Sequence, residues 1–135
     1  MMIWEKSKDP YVQLCVEFRK AVVNEISKDP ALNKKIMGAF TKDELREFSK
    51  WSAKALMESL AIRAKGALTG GLSDKALDRL DEIVLDMSEK SAEMALRVLG
   101  RDELQAFVDP KDRTAATEQE FKSRNYPHLA RIFSP

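Results

Sequence analysis

Apolar residues recur along most of this chain at helical spacing, and nowhere do they alternate over a length that would build a convincing strand. The clearest pattern runs from Thr41 to Gly100, where two long amphipathic segments flank Leu68-Thr69-Gly70-Gly71-Leu72. Thr41-Lys42-Asp43-Glu44 reads as a capping box: the Thr41 hydroxyl can accept from the Glu44 amide while the Glu44 carboxylate reaches back to the Thr41 amide. Phe40 and Leu45 stand at the positions of a hydrophobic staple. This helix is expected to run to about Leu68, because Gly70 and Gly71 tolerate the left-handed backbone that closes a helix. Ser73 opens the next helix, with Leu72 and Leu77 as its staple, and Gly100 stops it. The prediction is an antiparallel helical hairpin over about 41–68 and 73–99.

At about 100° per residue, Leu45, Phe48, Ala55, Leu56, Leu60, Ile62 and Ala67 of the first helix share one broad arc, widened by Ala53, Met57 and Ala64. One neighbour cannot cover an arc of that width, so this helix is expected at the centre of a bundle. The second helix carries Leu77, Leu80, Val84, Met87, Ser91, Met94 and Val98 at alternating spacings of three and four, a heptad seam. A charge interrupts each pattern: Arg63 in the first helix and Asp81 in the second. A turn at Gly70-Gly71 brings Arg63 towards Asp78 and Asp81. Because a buried arginine needs a partner, a structural ion pair of Arg63 with Asp81, or failing that Asp78, is expected to set the hairpin register.

Asp9-Pro10 is a helix start, with the aspartate as cap and proline in the first turn. The helix behind it, to about Ser27, turns Tyr11, Leu14, Cys15, Phe18, Val22 and Ile26 inward. Asp29-Pro30 and Asp109-Pro110 repeat the signal. The fold class that follows is all-α: one domain over residues 1–135, five to six helices, no sheet. Residues 1–8 are an extended lead-in holding Trp4. Residues 110–135 form a weakly amphipathic helix followed by an apolar and basic end segment, in which Leu129, Ile132 and Phe133 share a face begun at Pro127. That segment either folds back onto the bundle or lies in another protein's groove, and the width of the apolar arcs favours fold-back.

Composition narrows the picture. Hydrophobic residues make up 44% and charged residues 33% of the chain, which excludes disorder and membrane embedding. No stretch approaches a spanning helix, and Met1 to Lys6 lack the apolar run of a signal peptide. A single cysteine suits a reducing, cytoplasmic setting. The net charge of +1 offers no global attraction to nucleic acid or anionic lipid, although Asp74 to Glu93 holds seven acids against three bases.

Catalytic and metal motifs fail on inspection. The chain has one histidine, so it cannot form the paired Glu-x-x-His sets of a di-metal bundle. Asp78, Glu82 and Asp86 read as a solvated acidic stripe, and Thr69 to Ser73 lacks the lysine of a phosphate loop. Cys15 sits among apolar neighbours, as an inert thiol would. No catalytic residue, cofactor or metal ligand is expected. The first functional reading is a small soluble protein-interaction or regulatory module whose partner is another protein or a second copy of itself. Its contact residues are Trp4 and Trp51, aromatic anchors of the kind enriched at binding hot spots, with Tyr126, His128, Leu129, Arg131, Ile132 and Phe133 of the end segment. The second reading is a nucleic-acid-associated accessory protein, in which Lys122, Arg124, His128 and Arg131 interleave with Tyr126 and Phe133. The third is an enzyme of unrecognised type. No membrane partner is expected.

Overall fold

The computed structural model describes residues 7–135. Its helices are α1 (Pro10–Lys28), α2 (Pro30–Gly38), α3 (Lys42–Leu68), α4 (Asp74–Val98), α5 (Arg101–Gln105), α6 (Ala115–Ser123) and α7 (Pro127–Ile132), with a 3-10 turn at Pro110–Asp112. The described residues are thus an all-α helical bundle built on the expected hairpin. They form seven α-helices rather than five or six, because the region after Gly100 breaks into three short helices. Trp4 lies outside the described residues, as does most of the expected lead-in.

Local chemistry accounts for the starts. Asp9 accepts from the Tyr11 amide at 2.9 Å, and Asp29 accepts from the amides of Ala31 and Leu32 at 3.1 Å each. Both halves of the capping box at Thr41 and Glu44 form, each at 3.1 Å. Gly70 at φ 84° and Gly71 at φ 153° make the turn into α4, where a side chain would be strained.

The core corrects the expected centre of the bundle. It joins Val12, Cys15 and Phe18 of α1 to Leu85 and Ala92 of α4 and Leu99 just beyond it, and closes them with Leu104, Phe121, Leu129, Ile132 and Phe133. Phe133 is its hub, with ring centroids 5.9 Å from Phe18 and 5.2 Å from Phe121. The helix in the middle is α4, which touches α1, α2, α3, α5 and α7. Among the described residues, helix α3 leans on α4 alone in any extensive way, and only Ser59 and Gly66 of its residues are buried. Small side chains at Ser52, Ala55 and Ser59 suit a close approach to α4. A methyl group at Gly66 would overlap the Leu72 side chain of the turn.

Two ion pairs other than the expected Arg63–Asp81 clasp join α3 to α4. Arg79 of α4 grips Glu58 of α3 through paired contacts of 2.5 and 2.8 Å, and Arg97 bonds Glu44 near the other end. Both arginines hold their carboxylates below the usual range. With Glu58 level with Arg79, antiparallel geometry sets Arg63 level with the first turn of α4, more than a turn from Asp81. Asp81 instead faces the Ser7 side chain and lies near Asp9, while Asp78 is exposed.

Candidate functional site: the outer face of α3

Among the described residues, the arc that looked too wide for one neighbour packs extensively on α4 alone. Leu45, Phe48, Ala55 and Ile62 turn towards α4 and are half-buried, while the other side of the arc faces outward. Between Ala53 and Leu68, every residue on that side is apolar and exposed: Ala53, Leu56, Met57, Leu60, Ala61, Ala64, Ala67 and Leu68. Leu56 is 55%, Met57 70%, Leu60 52% and Leu68 88% exposed. At 3.6 residues per turn these positions span about 140° of the helix surface and about 24 Å of its length. The charges of the same stretch stand outside this arc: Lys54, Lys65 and Glu58 line the flank beyond Ala61, and Arg63 falls on the edge towards α4. Monomer surfaces seldom carry an uncharged patch of several hundred Å² without a binding use.

Trp51 occupies the other flank of α3. It is 37% exposed, stacked at a tilt on Phe48 with centroids 6.1 Å apart, and borders a groove of about 690 Å³ between α3, α4 and the start of α7. Phe40, Met94 and Tyr126 complete the apolar lining. Several of the groove's acids are engaged within the fold. Glu44 meets Arg97, Glu93 meets Lys90 at 3.5 Å, and Asp86 accepts from the Tyr126 hydroxyl at 3.0 Å. Burial, and then that bond to Asp86, pushes the Tyr126 phenol above its ordinary range.

The end segment folds back. Leu129, Ile132 and Phe133 are fully buried, so these three form core and present no face to a partner. Arg131 is exposed and His128 and Tyr126 are half-buried. The basic and aromatic side chains near this end are not gathered on one surface. Arg124 bonds Asp9 at 2.8 Å and Glu120 at 3.0 Å and lies over the Tyr11 ring, and Phe133 is interior.

No family model matches the chain, and no curated protein or solved structure matches it.

The residues that seat the end segment carried no signal in their own neighbourhoods. Glu89 of α4 caps α7 from a different helix: its carboxylate accepts from the His128 amide at 3.1 Å and the Leu129 amide at 2.9 Å, and meets His128 Nδ1 at 2.6 Å. Buried Gln105 donates to the carbonyls of Ile132 and Ser134, each at 3.0 Å, and Arg101 donates to Ser134 Oγ at 2.6 Å. Cys15 is wholly enclosed, and burial pushes its thiol up to about 12, the opposite of an activated nucleophile. Among the described residues there is no cluster of three metal-ligating side chains, and no helix is long and apolar enough to cross a membrane.

Proposed function

We propose that this protein is a helical protein-interaction module, and that the outer face of α3 is where it holds its partner. One observation carries the reading: an uncharged, exposed apolar arc on a long helix whose other side is anchored to the bundle by α4. Such a face suits an apolar helical surface, which it would engage at positions spaced three and four apart. Two ion pairs, the Gly66–Leu72 contact and the capping box hold α3 in place. The reading includes a cytoplasmic setting, supported by a lone cysteine buried as a thiol.

The test uses Leu60→Glu and, separately, Met57→Glu. Both side chains are more than half exposed, so each variant should keep its helical circular dichroism and stay within about 0.5 kcal/mol of the parent's stability. Each should also lose the protein partner that the parent retains when used as bait. A partner still held by both variants would reject the α3 face as the site.

A further inference from the structure

We infer that the occupant of the α3 face is a second copy of this chain, laid antiparallel across it with a twofold axis between Leu60 and Ala61. The inference rests on the interaction reading above and deepens it. Large and small side chains along the arc are arranged so that the face complements itself. With the axis at that point, Ala53 of one copy lies opposite the partner's Leu68, Met57 opposite the partner's Ala64, and Leu60 opposite the partner's Ala61. Large meets small at these three levels, which is how facing helices interdigitate, while Leu56 lies level with the partner's Lys65 and Ala67 with the partner's Lys54; the same patch serves both copies, as a twofold contact requires. A parallel pairing would set Leu60 on Leu60 and Ala64 on Ala64, crowding one level and leaving a void at the next.

Area supports the same choice. Four large side chains, each more than half exposed, give a patch of several hundred Å² per copy. Two copies then bury roughly 1,000 Å² in total, the lower bound of a specific interface. Charge does not oppose the contact: the central arc is uncharged, and Lys54 and Lys65 stand at its rim, where a lysine stem can lie along apolar surface while the ammonium stays in water. The product is a four-helix arrangement in which α3 gains the second neighbour that its wide apolar arc requires, with each α4 on the outside of the pair.

The experiment is mass in solution combined with thiol bridging. Light scattering of the parent should show a dimer that dissociates on dilution, and Leu60→Glu and Met57→Glu should both be monomers with unchanged helicity. Ala61→Cys should be bridged to its own mate by a short bismaleimide. Ala53→Cys should not, because the antiparallel geometry holds the two positions about 22 Å apart. Native Cys15 is buried and contributes no background. A parent that stays monomeric at high micromolar concentration overturns the inference. If Leu60→Glu still abolishes capture of another protein in that case, the interaction reading survives without it. A dimer that persists in both glutamate variants, or one bridged at Ala53→Cys as well as Ala61→Cys, overturns it equally.

Discussion

Glu89 shows how much one side chain can decide in this fold. Helix α7 begins at Pro127 without a capping side chain of its own, and the carboxylate of Glu89 supplies the missing acceptor from across the core. Charge-assisted bonds to amide donors contribute more than neutral ones. Glu89→Ala should therefore cost about 1.5–3 kcal/mol, with Glu89→Gln, which keeps an acceptor, costing clearly less. Urea unfolding of the two variants checks this, and equal losses would show that the site values bulk rather than charge. Asp81 makes an opposite contribution. Burial raises its carboxyl above the ordinary range, with nearby Asp9 and Asp78 adding to the shift and Ser7 opposing it. The folded state then holds this proton more tightly than the unfolded one. The cost of ionising Asp81 is absent below the ordinary carboxylate value, grows as pH rises through the window up to the raised value, and is complete above it. Asp81→Asn should match the parent in acid and exceed it at neutral pH. Stability curves separated by a constant gap at every pH would contradict this assignment.

At the level of elements, the sequence was most readable where cause and effect are adjacent. The Asp-Pro starts, the capping box at Thr41 and Glu44 and the glycines at Gly70 and Gly71 act within a few positions, and the helices they delimit are the observed ones. Periodicity also identified the apolar arc of α3 correctly. It could not say what covers the arc, because a helical wheel gives an angle and not a neighbour; half of that arc faces α4 and half faces out. The clasps between α3 and α4 escaped the pattern for a related reason. The wheel places Arg63 and Asp81 on inward arcs but says nothing of the relative height of the two helices, which Glu58 with Arg79 and Glu44 with Arg97 fix. Glu89, Gln105 and Arg101 act on a segment distant in sequence, so no local pattern could have disclosed them. The same separation explains why the shared face of Leu129, Ile132 and Phe133 was readable while its depth of burial was not.

The whole molecule depends on closing the chain end against its beginning. Phe133 touches both Phe18 and Phe121 and is 1% exposed, so it fills the centre of the core. Phe133→Ala should destabilise by about 3–5 kcal/mol, a large part of the total stability of about 5–15 kcal/mol usual for a domain. The midpoint of chemical unfolding measures it, and a loss below about 1 kcal/mol would mean the core collapses around the gap. Helical proteins usually fold quickly because their contacts are local. Here the Asp9–Arg124 pair spans 115 positions, and Phe18 is as far in sequence from Phe133. On the ribosome, α1 through α6 emerge with their inner faces uncovered, and the core can close only after residue 133 has left the exit tunnel. The core therefore stays open until the segment that carries Phe133 has emerged. In that interval Val12, Cys15 and Phe18 are accessible to chaperones and to neighbouring nascent chains.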